Sequence, residues 1–307
     1  MRSLNSLYID NNIVGIDPVD KVVLAIGETP LTISDEYEII RIKHIPYILL
    51  PDKPVNRKAK YRPLVCGVSI GHIQITAGTL GTIAYYNDEP HLVSNAHVFH
   101  PSPWKKELPK IRDIVQPGPY DKGTIADKVG FIVKHVPVHL ENEPSTCPMA
   151  KIWSALYNIP ARILRRKTRL VPIVTEENRV DCAIAKPVVD YEDVIILDNG
   201  EKIDPDNIVG LLFAGSTEDN IFIVSKASNI EKELGVKFTR KTSDTTIKRG
   251  DKVQKCGRTT GCTQGTVIAR NMTLRVFYGV GFAVFTDVIV VKGESAGGDS
   301  GSMVWKI

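Results

Sequence analysis

The chain has 307 residues, of which 43% are hydrophobic and 24% charged, and its formal net charge is +4. These values are ordinary for a globular protein and exclude a disordered, fibrous or collagen-like chain. The length predicts two compact units with room for a small third, and the net charge is too weak to indicate nucleic acid binding by itself.

Short strands dominate the predicted elements. They are rich in β-branched or aromatic residues and are bounded by turn-forming residues. In chain order they are predicted at residues 21–26, 72–75, 82–86, 130–135, 180–185, 209–213, 265–270 and 282–291. Many short strands at close spacing favour sandwiches or barrels over an alternation of strands and helices.

Helical patterns are confined to three segments. Residues 34–42 fit either a short helix or a strand, and residues 149–167 form an amphipathic stretch with a basic end at 162–169. Residues 225–234 are typical of a helix, since Gly235 follows them as a stop signal. The basic end could contact an acidic partner or nucleic acid, although a solvated helix end is its ordinary interpretation.

Composition also suggests domain boundaries. Residues 1–64 form an N-terminal extension that ends in a linker rich in proline and lysine. Turn formers and acids cluster at residues 188–206, which divides the remainder into units at 65–190 and 191–307.

Cysteine usage and the chain start bear on location. The five cysteines are an odd number, scattered, and without CxxC spacing, which favours a reducing compartment and argues against zinc. No apolar run approaches a membrane span, and the first residues lack the apolar core of a secretory signal. We therefore expect a cytoplasmic protein without membrane contact, metal or cofactor; the oligomeric state is not specified.

The segment GESAGGDSGS at residues 293–302 carries the strongest chemical signal. A nucleophilic serine needs a tight, glycine-flanked turn in which its hydroxyl is exposed and backbone N–H groups converge on an oxyanion. Ser300 has such neighbours, and Asp299 can fix the loop through an internal partner. A plain glycine-rich turn is the alternative, and Ser302 argues against the GxSxG elbow of α/β-hydrolases.

A serine nucleophile also needs a base and a group that orients the base. Among seven histidines, His97 follows an apolar strand in the sequence LVSNAHV, which suits a base at a rigid strand end. Asp181 opens the apolar segment DCAIA, where a buried carboxylate is costly unless it is hydrogen-bonded. Each residue alone could be structural, but three such settings in the order His, Asp, Ser are rarely accidental.

The segments SNAHVF, RVDCAIAK and GGDSGSMVW resemble, in the same order, the three catalytic segments of trypsin/chymotrypsin-like serine proteases. GVSIGH, TAGTLG, QPGPYD, GRTTG and LLFAGS further resemble a microbial branch of that family, related to a plant leaf-shape protein with a trypsin-like core. The resemblance covers roughly residues 64–307. It implies a mainly β fold of two six-stranded antiparallel Greek-key barrels with a small N-terminal α/β extension.

The resemblance implies a serine endopeptidase that cleaves a peptide or protein substrate through an acyl-enzyme. His97 would be the general base, and Asp181 would orient it, both on the first barrel. Ser300 on the second barrel would be the nucleophile, and the backbone N–H groups of Gly298 and Ser300 would form the oxyanion hole.

Substrate-binding residues follow from the same resemblance. Ala214 and Gly215 would line the specificity pocket and pair with the substrate backbone. Glu294, at the pocket floor, would favour Lys or Arg before the scissile bond, with a solvent-facing Glu294 as the alternative.

The order of elements departs from the family pattern. In the family, a strand similar to GLLFAGS and a helix follow the serine segment, whereas here the similar strand is at 209–216 and its helix at 225–234. We expect that this terminal strand–helix element, at residues 209–236, has moved upstream, because a missing strand would leave an open sheet edge. A shortened chain with a merely similar strand is the alternative.

Two rival functions remain open. A catalytically inactive protease-like module that binds peptides or partner proteins would keep the three residues as relics. A metal site from His91, His97 and His100, or from His135 and His139, lacks the HExxH helix of zinc proteases.

Overall fold

Residues 13–27, 36–42, 56–141, 147–163, 166, 170–172 and 177–307 are described by the computed structural model. Within them the chain is mainly β, which confirms the predicted fold class at that level. The strands are β1 (Ile13–Asp17), β2 (Val22–Ile26), β3 (Glu38–Ile42), β4 (Leu64–Cys66), β5 (Ser69–His72), β6 (Gly78–Thr79), β7 (Thr82–Tyr86), β8 (Glu89–Ser94), β9 (Asp113–Val115), β10 (Lys128–His135), β11 (Ala183–Pro187), β12 (Tyr191–Ile196), β13 (Lys202–Ile203), β14 (Ile208–Ser216), β15 (Ile221–Lys226), β16 (Lys237–Phe238), β17 (Lys252–Gly257), β18 (Gly261–Phe277), β19 (Phe282–Gly293) and β20 (Met303–Lys306). The α-helices are α1 (Ala96–Phe99), α2 (Pro148–Ile163) and α3 (Ala227–Leu234).

Six strands of the C-terminal half form a ring of antiparallel neighbours in the order β17, β20, β14, β15, β19, β18. The ring closes because β18 also pairs with β17. One apolar cluster receives buried side chains from all six strands. β14 and β15 precede the other four in the chain, yet they fill the gap between β20 and β19, so the ring has no open edge there.

A second sheet contains eight strands in the order β16, β7, β8, β11, β10, β9, β5, β6. Helix α3 connects the two sheets, since it follows β15 of the ring and leads to β16, which pairs with β7. The helix ends at Gly235, whose φ of 70° is left-handed, and this confirms the predicted stop. The predicted pair of six-stranded Greek-key barrels is not confirmed in that detail, since this sheet has eight strands.

The N-terminal strands continue the sheet of the ring. β1 pairs with β18, β2 pairs with β1, and β3 runs parallel to β2. The segment expected to be a helix or a strand is therefore a strand in its described part. In the predicted linker, Arg57 is 4% exposed and donates to the carbonyl of Gly67 and to Asp198, so the described part of the linker packs against the remainder of the chain.

The cysteines include one pair that the sequence did not suggest. Cys256 and Cys262 form a disulfide between opposed residues of β17 and β18, whereas nothing in the cysteine spacing predicts this bond. Cys66 and Cys182 are buried thiols, and burial raises the pKa of both. The cytoplasmic location stays a prediction. No helix in the described part of the chain combines the length and the apolar character needed to cross a membrane.

Candidate active site

His97 lies in the single turn of α1, directly after β8. Its neighbours Ala96, Val98 and Phe99 are buried, so the turn is anchored on the core while the His97 side chain keeps 11% exposure. Asn95, just before the helix, donates from its side-chain amide to the carbonyl of Asp181 at 2.7 Å. This bond ties the start of the turn to the segment that carries the acid.

The Asp181 carboxylate is fully buried and holds the imidazole of His97. Oδ2 lies 2.6 Å from His97 Nδ1, and Oδ1 accepts the backbone N–H of His97 at 3.2 Å. Burial alone would raise the pKa of Asp181, but His97 and the hydroxyl of Tyr278 outweigh it and hold the pKa below its usual value. Because an ionised carboxylate can only accept hydrogen bonds, Nδ1 carries a proton and a neutral ring keeps its lone pair at Nε2.

Four other histidines have a different environment. A ring nitrogen of each lies within hydrogen-bond distance of a backbone carbonyl: His72 with Ile111, His91 with Glu89, His100 with Glu107 and His135 with Lys105. Burial lowers the pKa of His72, His100 and His135, which favours their neutral forms. Within the described residues, no group of three or more His, Cys, Asp or Glu side chains could hold a metal ion.

Ser300 lies in the loop between β19 and β20 and is 2% exposed. The loop is fixed from both sheets. The backbone carbonyl of Ser300 accepts the N–H of Thr79 at 2.8 Å, and the N–H of Gly301 donates to the carbonyl of Leu212 at 2.8 Å. Gly301 has a φ of +95°, and a Cβ there would lie 2.2 Å from the hydroxyl of Ser94. Only glycine fits this position, so the backbone beside Ser300 is set by close packing of the serine loop against β8 of the eight-stranded sheet.

His97 and Ser300 line the same cavity of about 440 Å³, together with Tyr278. The other lining side chains are mostly apolar and include Ile75, Ala77, Val98, Pro101, Pro103, Trp104 and Phe277. The buried Nε2 of His97 has no hydrogen-bond partner, and the hydroxyl of Ser300 lies 3.5 Å from the carbonyl of Phe213. The base and the hydroxyl thus share one cavity without a direct hydrogen bond between them.

The serine loop orients two backbone N–H groups. The carbonyl of Gly297 accepts the Thr259 hydroxyl at 2.5 Å, and the carbonyl of Asp299 accepts the N–H of Ser302 at 2.9 Å. In a trans peptide the N–H points opposite to its carbonyl, so the N–H groups of Gly298 and Ser300 point away from these anchors. Neither N–H donates to a protein acceptor in the described part of the chain. An oxyanion hole requires such unpaired donors.

Asp299 forms an ion pair inside the protein, which confirms the expectation of an internal partner. Its Oδ2 lies 2.8 Å from Lys255 Nζ, and both side chains are 0% exposed. Further donors to the carboxylate are the N–H groups of Thr259, Thr260 and Ala296 and the hydroxyl of Thr260. Burial alone would raise the pKa of Asp299, but Lys255 and these donors lower it below its usual value.

Arg258 forms a second buried support behind the loop. Its side chain is 0% exposed, and the guanidinium donates to both carboxylate oxygens of Asp121: Nε to Oδ2 at 2.5 Å and Nη2 to Oδ1 at 2.7 Å. A Cβ on Gly298, whose φ is +95°, would lie 2.3 Å from this guanidinium. Arg258 belongs to the GRTTG segment and Asp121 to the QPGPYD segment. The sequence analysis did not predict that these two segments are in contact.

Tyr278 was also missed by sequence reasoning. It sits in the turn between β18 and β19, is 8% exposed, and donates its hydroxyl to Asp181 Oδ2 at 2.6 Å. Its ring also meets the His97 ring edge-on at 6.2 Å between centroids. Burial, and then the charge of Asp181, raises the pKa of Tyr278 well above its usual value, so the phenol remains a donor.

Of the three predicted substrate-binding residues, Ala214 and Gly215 lie on the strand beside Ser300, whereas Glu294 does not line the cavity. Ala214 and Gly215 lie on β14, the strand whose Phe213 carbonyl is beside the Ser300 hydroxyl. The buried Ser295 hydroxyl has no partner and would be 2.9 Å from a Cβ on Gly215. Glu294 is exposed and does not line the cavity, so the structure does not bring it to His97 and Ser300.

Comparison with known proteins gives distant structural likenesses only. No family model and no curated protein matches the chain. The chain is similar to a solved glutamic-acid-specific serine protease that uses a histidine triad in substrate binding, at 14% identity and a TM-score of 0.40, over 79% of this chain and 92% of that one. It is also similar to protease A of Thermobifida fusca (10% identity, TM-score 0.37, 79% and 90% covered) and to Nocardiopsis protease (12%, 0.33, 79% and 91%). At these values the similarity supports no conclusion about activity.

Proposed function

We propose that this protein is a trypsin/chymotrypsin-like serine endopeptidase with Ser300 as nucleophile, His97 as general base and Asp181 as its orienting acid. The observation that supports this best is the 2.6 Å contact between His97 and the buried Asp181, at a cavity that Ser300 also lines. A buried carboxylate on Nδ1 fixes the tautomer that a base at Nε2 requires.

The chemistry would be acyl transfer. A substrate carbonyl in the cavity is attacked by the Ser300 hydroxyl, whose proton passes to Nε2 of His97. Asp181 stabilises the imidazolium formed, and the N–H groups of Gly298 and Ser300 bind the oxyanion. His97 then protonates the leaving amine, and water releases the acyl group by the same steps in reverse order.

The substrate is proposed to be an extended peptide. A cavity with mostly apolar walls suits apolar side chains next to the scissile bond, and β14 near Ala214 and Gly215 would accept the peptide backbone. We further propose that β14, β15 and α3 are the family's terminal elements in an upstream position. The closed ring of six strands, in which β14 and β15 pair with later strands, supports this.

One observation favours a second candidate, an inactive protease-like module that binds peptides. Nε2 of His97 is unpartnered, and Ser300 contacts a carbonyl instead of the imidazole. Proton transfer requires the Ser300 hydroxyl to come within hydrogen-bond distance of Nε2. If it does not, the cavity binds peptides without cleaving them.

A fluorophosphonate probe distinguishes the two candidates. We expect labelling of the intact protein at Ser300, and loss of labelling in Ser300→Ala and His97→Ala; Ser154→Ala, at a serine of α2 that does not line the cavity, is the control and should retain it. Undiminished labelling of Ser300→Ala would refute the assignment. Absence of labelling in the folded wild type, with binding of peptides retained, would favour the binding module.

A further inference from the structure

Helix α2 presents its apolar side to solvent. At 100° per residue, its large apolar side chains fall within one face, and all of them are more than half exposed. They are Met149 (58%), Ile152 (52%), Trp153 (66%), Leu156 (58%), Ile159 (60%) and Ile163 (75%). We call these six residues the apolar face of α2.

The opposite side of α2 is turned toward its own chain. Ala150, Ser154 and Asn158, spaced four residues apart, are the less exposed positions among the helix side chains that the structure describes. Asn158 donates to the carbonyl of Leu170 at 2.7 Å and accepts the N–H of Leu170 at 2.8 Å. The polar side therefore carries the contact of α2 with its own chain while the apolar face is exposed, the reverse of a helix that packs on a protein core.

Six exposed large apolar side chains on one helix face indicate an interaction site, and the charge of the helix indicates the kind of partner. Helix α2 has no acid; at 100° per residue Lys151 lies beside Asn158 on the polar side, and Arg162 lies between that side and the apolar face. Across residues 147–172 the sequence has six basic residues and no Asp or Glu. A partner must therefore accept apolar side chains and offer negative charge.

We propose that the apolar face of α2 binds the surface of an anionic lipid bilayer, with the helix lying in the interface. An amphipathic helix with a tryptophan and basic flanks has the chemistry for this position. Nucleic acid would leave the apolar face uncovered, and pairing of two copies would bring like charges together. The sequence-based expectation of no membrane contact rested on the lack of a spanning segment, which an interfacial helix does not need. This inference goes beyond the proposed function and does not depend on it.

The test is co-sedimentation of the full chain with vesicles of equal parts phosphatidylserine and phosphatidylcholine, against vesicles of phosphatidylcholine alone. We expect binding to the anionic vesicles and a blue shift of tryptophan emission, because Trp153 is far more exposed than the buried Trp305. Leu156→Glu should lower the partition coefficient by about tenfold or more. Ile125→Glu is the matched control at an equally exposed isoleucine elsewhere, and it should bind as the wild type does.

The charge contribution is tested with the double variant Lys151→Gln, Arg162→Gln. Each basic residue near an anionic surface is worth about a fivefold change in binding, so this variant should bind the anionic vesicles about twenty-five-fold more weakly. The proposal is overturned if the wild type does not sediment with anionic vesicles. It is equally overturned if Leu156→Glu binds undiminished, or if the wild type instead forms a dimer that Leu156→Glu dissociates.

Discussion

The ion pair behind the serine loop gives the sharpest test of how this site is held. Lys255 and Asp299 are both fully buried and lie 2.8 Å apart. In Lys255→Met the side chain keeps a similar length, but the carboxylate loses its countercharge. Removing one partner of a buried pair costs about 3–5 kcal/mol of unfolding free energy, and we expect a loss in that range near neutral pH.

The pH dependence separates this effect from a packing defect. In the wild type the pKa of Asp299 is lowered, so its stabilisation is present above the ordinary carboxyl pKa and is lost only as the pH falls through the folded-state value. In Lys255→Met the countercharge is gone and burial is opposed only by the hydrogen bonds from Thr259, Thr260 and Ala296, so we expect the pKa of Asp299 to rise above the ordinary carboxyl value. The variant then takes up a proton on folding, and its penalty shrinks by about 1.4 kcal/mol for each pH unit below that raised pKa.

Urea unfolding of both proteins, followed by circular dichroism from about pH 8 to about pH 5, measures this difference. Lys306→Met is the matched control, since Lys306 pairs with Asp251 at 2.6 Å but is 36% exposed; its removal should cost about 0–1 kcal/mol. A penalty for Lys255→Met below about 1 kcal/mol, or one that does not change with pH, would refute the reasoning.

Two further substitutions test the remaining supports of the site. Tyr278→Phe removes a donor to Asp181 and should raise the pKa of that carboxyl, so the variant should lose stability at a higher pH than the wild type on acidification. Acid unfolding followed by tryptophan fluorescence measures this shift. A midpoint equal to that of the wild type would contradict the role of Tyr278. Gly298→Ala places a Cβ 2.3 Å from the buried Arg258 at a φ of +95° and should abolish fluorophosphonate labelling while lowering the free energy of unfolding by about 1–3 kcal/mol. Gly200→Ala, at an exposed turn with a φ of +85° and no atom within 4 Å of the new Cβ, is its control; equal labelling of the two variants would show that the Gly298 backbone does not matter.

Local sequence determined much of the backbone of this protein. β7 is where its β-branched and aromatic residues predict a strand, and α3 ends at Gly235 because only that residue takes the left-handed conformation there without strain. The order His97, Asp181, Ser300 likewise predicts residues that the structure relates, since Asp181 contacts His97 and His97 lines one cavity with Ser300. Their catalytic roles remain a proposal that the labelling experiment tests.

Tertiary structure alone decided which distant groups complete the site. Lys255 is an ordinary lysine in sequence and becomes the partner of Asp299 only because β17 runs beside the serine loop. Tyr278 reaches Asp181 across 97 positions of the chain, and no periodicity records such a contact. Helix α2 is amphipathic in sequence, but only the structure shows that its apolar face is exposed and that Asn158 on the other side bonds to Leu170. Propensity and hydrophobic pattern act over a few residues, whereas countercharges, donors and covered faces are assigned by packing between elements that the sequence separates.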